Sequence, residues 1–111
     1  MVKEIESLEL IERLKLGKEV LLLDIRGADE LVQGIIPGSQ HLPMHLLPLR
    51  ISEFPRDKDI VLYCRSGARS FHACRFLAQQ GYDNLINLRG GIIDWAQKGL
   101  NVEFPAKACY G

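Results

Sequence analysis

The sequence is short of cysteine and has no long hydrophobic run. Its three cysteines include no Cys-x-x-Cys pair, which argues against both a disulfide framework and a zinc ribbon. No apolar stretch approaches the roughly 18 residues that a membrane span needs. The first residues carry glutamates where a secretory signal would have an apolar core. These absences favour a reducing cytoplasm as the compartment of the protein.

The sequence also lacks an excess of charge of either sign. Fourteen basic and fourteen acidic side chains cancel, which gives no reason to expect a nucleic acid or an anionic membrane surface as partner. Any binding of anions therefore depends on a local concentration of positive charge. At 111 residues the chain is expected to form a single domain, residues 1–111, with a core of about 5–103 and an irregular C-terminal tail.

Short apolar runs alternate along the chain with segments of helical periodicity. The runs at 20–24 and 59–64 are apolar along their length, which is typical of strands covered on both faces. The first helical segment is predicted to begin at Ser7 as N-cap, with Leu8, Ile11 and Leu14 on its apolar face. The pattern predicts an α/β fold with a mostly parallel sheet of about five strands and helices on both faces. The strands are expected at 2–5, 20–24, 40–42, 59–64 and 84–88.

Cys64 stands where the second of these strands is predicted to turn into a helix. In parallel α/β sheets, functional sites gather at the carboxyl ends of strands. A free thiol has a pKa of about 8.5, and neighbouring cations or a helix amino terminus lower it to roughly 3.5–7.5. Both influences are present here: the cations are Arg65 and Arg69, and the helix amino terminus is the first turn of the following helix. The sequence therefore indicates that Cys64 is a reactive thiolate.

The segment 64–70 has the composition of an anion-binding loop. Gly67 permits a positive φ, and Ser66 and Ala68 are small, so successive amides up to Ser70 are able to curl around a bound anion. Arg69 is expected to close on an oxyanion with a forked pair of hydrogen bonds. Such a loop suits thiosulfate, sulfite, phosphate or arsenate, and also the charge of a persulfide on the cysteine.

Three stretches in order resemble the rhodanese family, over roughly residues 5–103. "VLYCRSGARS" resembles the active-site strand and loop of that family. "LLLDIRGADELVQGIIPGSQHLP" resembles its amino-terminal signature at Asp24, Arg26, Glu30, Gly34, Ile36, Pro37, Gly38 and Pro43. "LRGGIIDWAQKGLNV" resembles its carboxyl-terminal signature at Gly90, Gly91, Trp95 and Gly99.

The resemblance implies a thiosulfate sulfurtransferase that needs no metal or organic cofactor. Cys64 would attack the outer sulfur of thiosulfate, sulfite would leave, and a persulfide would remain on the enzyme. The loop amides of residues 65–70 would stabilise that persulfide, while Arg65 and Arg69 would orient the small anionic donor. A thiol, either a small molecule or a thioredoxin-like protein, would accept the sulfur; cyanide takes its place in the assay.

Two other function classes stay open. Phosphatases and arsenate reductases on the same fold resemble this chain, but the cell-cycle phosphatases place five residues between cysteine and arginine. Here four residues separate Cys64 from Arg69, and the tighter loop suits sulfur better than a phosphoryl group. The other class is a non-catalytic adaptor or persulfide carrier, although adaptors of this family typically lose the cysteine.

The remaining candidates are assigned structural or bystander roles. Cys74 is expected in the core, His72 on the surface, and Cys109 in the tail as a bystander thiol. His41 and His45 have the i, i+4 spacing of a metal pair, but Pro43 lies between them and no third ligand is evident. Arg26 and Glu30 are expected to form a structural ion pair.

Overall fold

A computed structural model describes residues 1–105 of the chain. Five strands form one sheet in the order β1-β5-β4-β2-β3, and every hydrogen-bonded pair of strands is parallel. The predicted α/β fold with a parallel sheet of five strands is confirmed. The strands are Lys3–Ile5 (β1), Val20–Asp24 (β2), Gln40–His41 (β3), Asp59–Tyr63 (β4) and Leu85–Leu88 (β5).

Four helices cover the two faces of the sheet. Helices α1 and α4 pack on one face, and α2 and α3 pack on the other, so each face has its own apolar cluster. No helix within residues 1–105 has the length and apolarity needed to cross a bilayer. The helices are Ser7–Lys15 (α1), Leu47–Arg50 (α2), Ala68–Ala78 (α3) and Gly91–Gln97 (α4), with 3-10 turns at Ala28–Gln33 and Ile51–Glu53.

The continuous apolar runs of β2 and β4 follow from this layering. Successive side chains of a strand point to opposite faces. Leu23 and Leu62 therefore enter the cluster under α2 and α3, whereas Leu22 and Val61 enter the cluster under α1 and α4. Strand β4 lies in the middle of the sheet, which fixes the position of the residue that follows it.

Helix α1 departs from prediction at its amino end. Glu6, and not Ser7, is the residue that precedes the helix. Ser7 is fully buried, and its hydroxyl donates a hydrogen bond to Asp94 of α4 over 2.9 Å. Leu8 is 53% exposed, and Leu10 takes the buried position instead. The buried face of α1 is therefore rotated from the predicted one, because it includes Ser7, which is bonded to α4.

A buried ion pair anchors the segment that follows β2. Arg26 is 1% exposed and binds both carboxylate oxygens of Asp24, with distances of 2.9 and 2.7 Å. Its guanidinium also donates to the Gly34 carbonyl oxygen at 2.7 Å. The predicted pair of Arg26 with Glu30 is wrong: Arg26 reaches the main-chain carbonyl of Glu30, at 3.4 Å. The Glu30 carboxylate is thus available to another partner.

We expect Arg26→Ala to lower the free energy of unfolding by about 3–5 kcal/mol, because it leaves the Asp24 carboxylate buried without its cation. Urea denaturation followed by circular dichroism measures this loss. Arg50→Ala is the matched control, since Arg50 pairs with Glu53 on the surface and should change stability by less than about 1 kcal/mol. Equal, small losses in both variants would contradict the anchoring role.

Candidate active site

Cys64 lies directly after the central strand β4 and four residues before the start of helix α3 at Ala68. The residue is 1% exposed, and its side chain belongs to the cluster on the α2/α3 face. The sulfur therefore sits at the amino end of an eleven-residue helix, at the sheet edge where parallel α/β folds place their sites.

Backbone amides surround the Cys64 sulfur. The Gly67 N–H donates to Sγ over 3.1 Å, and the amides of Ser66 and Ser70 also favour the charged form of the sulfur by lowering its pKa. Gly67 has a φ of 94°, a left-handed conformation that reverses the chain and that glycine adopts without strain. Inward-facing amides of this kind form an anion-binding concavity.

Helix α4 keeps the loop carbonyls away from that sulfur. The Ile92 N–H donates to the Cys64 carbonyl oxygen at 3.0 Å, and the Ile93 N–H donates to the Arg65 carbonyl oxygen at 3.1 Å. The chain has no cis peptide among its described bonds, and in a trans peptide the C=O and N–H groups point in opposite directions. The Ser66 N–H, which belongs to the same peptide as the Arg65 carbonyl, therefore faces the sulfur.

The close approach of α4 to the loop depends on Gly91. Gly91 has a φ of 60°, and a Cβ added there would lie 2.6 Å from the Cys64 carbonyl oxygen. A larger residue would push the first turn of α4 away from the loop. The Gly90–Gly91 turn thus supports the active-site loop, a role that the sequence pattern alone did not assign to it.

Hydrogen bonds lower the pKa of Cys64 despite its burial. Burial alone would raise the pKa of this thiol; the Ser70 hydroxyl and amide, followed by the Gly67 and Ser66 amides, outweigh it and bring the pKa below its ordinary value. These neutral dipoles, rather than the loop arginines, are the main groups that favour the thiolate. A lowered pKa is a property that a nucleophilic cysteine needs.

A buried chain of polar side chains continues from Ser70. The Ser70 hydroxyl lies 3.5 Å from Cys64 Sγ and 2.5 Å from Asn87 Oδ1, and the Asn87 amide donates to Glu4 over 2.9 Å. Because a hydroxyl has one proton, Cys64 and Asn87 compete for it. Sequence reasoning missed Asn87, although a buried amide within the apolar run "NLINL" was an available signal.

Glu30 is the partner of Arg69. Two nearly parallel hydrogen bonds of 2.9 and 2.7 Å join the Arg69 guanidinium to the Glu30 carboxylate. This bidentate contact with Arg69 is the main reason that the pKa of Glu30 falls to about 2. The pKa of Arg69 is raised, first by Glu30 and then in smaller part by the nearby Cys64 sulfur. Sequence reasoning missed this pair, which links positions 39 residues apart.

The other predicted loop residues differ in where they lie. Arg65 is exposed and lines a groove with Ile92 and Ile93 of α4, whereas the Cys64 side chain belongs to the opposite face of the sheet. Ser66 and Ala68 are exposed at the rim of the loop. The structure thus gathers Cys64, Ser66, Gly67 and Ser70 around the sulfur, with Arg69 beside them. The donor-binding roles of Arg65 and Arg69 stay predictions.

The remaining candidates of the sequence lie away from the sulfur. Cys74 is 2% exposed, as predicted, and burial raises the pKa of its thiol to about 12. His72 is exposed, and His41 Nε2 is bonded to the Arg26 carbonyl oxygen at 2.7 Å. Residues 1–105 contain no group of three side chains able to hold a metal ion. Cys109 lies outside the described residues.

Comparison with known proteins identifies the family. The family model of the rhodanese-like domain matches residues 7–98. The chain belongs to the rhodanese-like family. A curated relative from Allochromatium vinosum, described as a sulfurtransferase, is 56% identical over 105 residues, which cover 95% of this chain and 98% of the relative. This rhodanese-like domain is accordingly a sulfurtransferase.

Solved structures agree with the rhodanese fold. A rhodanese-related protein from Thermoplasma volcanium superposes with a TM-score of 0.83 at 32% identity, over 93% of this chain and 99% of that one. A thiosulfate sulfurtransferase from Pseudomonas aeruginosa gives a TM-score of 0.87 at 27% identity. That match covers 95% of this chain and 21% of the longer protein.

We expect Ser70→Ala to raise the pKa of Cys64, because it removes a hydrogen bond that favours the thiolate. Alkylation by iodoacetamide at neutral pH should slow about fivefold, the equivalent of one hydrogen bond of about 1 kcal/mol. The pH dependence of alkylation measures both effects. Ser66→Ala is the control, since Ser66 acts through its amide, and it should react like the parent protein. Identical pH profiles for all three proteins would contradict the role of the Ser70 hydroxyl.

Proposed function

We propose that the protein moves sulfane sulfur from thiosulfate or a persulfide donor to a thiol through a persulfide on Cys64. The observation that carries the proposal is the buried Cys64 sulfur, which accepts a hydrogen bond from the Gly67 amide and whose pKa the Ser66, Gly67 and Ser70 amides lower. The donors that favour a thiolate also favour a persulfide anion, because both carry one negative charge on sulfur.

In the loading step, the Cys64 thiolate attacks the outer sulfur of the donor. A new bond forms between Sγ and that sulfur while the donor's own bond to it breaks, and the leaving group takes the bonding electrons. With thiosulfate the leaving group is sulfite. The net charge is conserved and no oxidant or reductant is consumed, which agrees with the proposal of a site without metal or organic cofactor.

In the unloading step, an acceptor thiolate attacks the outer sulfur of the Cys64 persulfide. The acceptor becomes a persulfide, and Cys64 is released as a thiolate ready for the next donor. A small thiol or a thioredoxin-like protein is the proposed acceptor, and cyanide serves in the assay. The reaction needs free thiols, so the proposed compartment is the reducing cytoplasm.

Phosphate ester hydrolysis is the second candidate on this fold. The loop has four residues between Cys64 and Arg69. The Arg69 guanidinium, which a phosphoryl group would need as its partner, is bound to Glu30. Both observations favour sulfur transfer over phosphoryl transfer.

Thiosulfate with cyanide should yield thiocyanate, and Cys64→Ser should abolish the product because no persulfide can form. Mass spectrometry of the protein treated with thiosulfate should show one added sulfur atom on the peptide that contains Cys64, removable by dithiothreitol. Cys74→Ala is the matched control, since its thiol is buried and held neutral by its raised pKa, and it should retain activity.

Hydrolysis of p-nitrophenyl phosphate separates the two candidates. We expect turnover of this ester to stay at background. Ester turnover above the rate of sulfur transfer, or thiocyanate production by Cys64→Ser, would overturn the proposed function.

A further inference from the structure

The pair of Glu30 and Arg69 changes the charge that a sulfur donor meets. Arg69 is the loop arginine beside the Cys64 sulfur, and both of its terminal nitrogens are bonded to the Glu30 carboxylate. Arg65 lines the groove on the other face. The charge of Arg69 is therefore compensated, and the side of the loop that bears the sulfur presents peptide dipoles rather than net positive charge.

The Glu30 carboxylate is held firmly in this position. The Gly27 N–H donates to Glu30 Oε2 over 2.9 Å, the same oxygen that accepts from Arg69. The buried Arg26 holds the surrounding turn through the carbonyl oxygens of Glu30 and Gly34. The Glu30 side chain is 23% exposed, so solvent screens its charge only in part. A donor that binds the Arg69 guanidinium has to displace the Glu30 carboxylate, which is held in place.

Thiosulfate and organic persulfides meet this carboxylate differently. Thiosulfate brings two negative charges to a site that already holds a thiolate and in which the positive charge of Arg69 is neutralised by Glu30. An alkyl persulfide is attacked in its protonated form, RSSH, which presents a reactive S–S bond without charge. A dianion that approaches a thiolate without a free cation beside it meets like charge, and the uncharged donor avoids this repulsion.

We infer that Glu30 is a specificity-determining residue that makes an uncharged organic persulfide, rather than thiosulfate, the preferred sulfur donor of Cys64. The inference rests on the proposed function and names the substrate class for its loading step. The Cys64 thiolate attacks the outer sulfur of RS–SH, the Sγ–S bond forms, and the RS–S bond breaks. RS⁻ leaves with the bonding electrons, and the proton stays on the transferred sulfur, so atoms and charge balance.

The test compares two donors on the same protein: thiosulfate and 2-hydroxyethyl persulfide, whose organic part has no charge. Intact-mass spectrometry follows the loading of Cys64 and gives a second-order rate constant for each donor. Their ratio within one variant is independent of how much thiolate that variant contains. Glu30→Gln removes the charge that neutralises Arg69 and keeps the shape, so the ratio of thiosulfate to persulfide should rise about tenfold, because the dianion then meets a free cation.

Two controls define the effect. Asp29→Asn removes an exposed carboxylate from the neighbouring position, and Glu30→Asp keeps the charge at position 30. Both should keep the ratio of the parent protein, in which the persulfide loads Cys64 faster than thiosulfate. The inference is overturned if thiosulfate is the faster donor in the parent protein, or if Glu30→Gln changes the ratio by less than twofold. If neither donor adds sulfur to Cys64, the proposed function itself is overturned.

Discussion

Two hydrogen bonds from helix α4 to the active-site loop are the constraint on which the site depends. Ile92 and Ile93 donate to the carbonyl oxygens of Cys64 and Arg65, which turns the loop carbonyls outward and its amides inward. Gly91 allows the helix to come this close. Carbonyl oxygens turned toward the sulfur would instead disfavour a thiolate. Helix α4 thus shapes the surroundings of Cys64, the residue that follows β4.

The site stabilises negative charge with dipoles rather than with ions. The Ser70 hydroxyl and three amides lower the pKa of Cys64, while Arg69 is bound to Glu30. Fixed dipoles cost no reorganisation when charge moves from Sγ to the outer sulfur of a persulfide. They also add no net charge that would hold a dianion tightly. A site built in this way suits a carrier that must load and unload sulfur with little change in its surroundings.

Much of the fold was predictable because β2 and β4 are covered on both faces and read as continuous apolar runs. The site loop was predictable because a cysteine, a glycine and an arginine stand together at a strand end. The Glu30–Arg69 pair was not predictable. Arg26 is much closer to Glu30 in sequence than Arg69 is, and the sequence does not show that Arg26 binds Asp24 instead. The bond of Ser7 to Asp94 and the role of Asn87 were missed for a related reason: the partners belong to elements that only the packed sheet brings near.

The most direct test of this account is the pKa of Cys64 in the folded protein. Thiolate absorbance is followed against pH in the native protein and in the Cys64→Ser variant, whose curve supplies the contribution of the other cysteines. The account predicts that the difference curve shows one thiol ionising below the range of an unperturbed cysteine and that urea returns this ionisation to the ordinary range. A Cys64 that ionises at or above that range would contradict the inward-facing amides as the source of its reactivity.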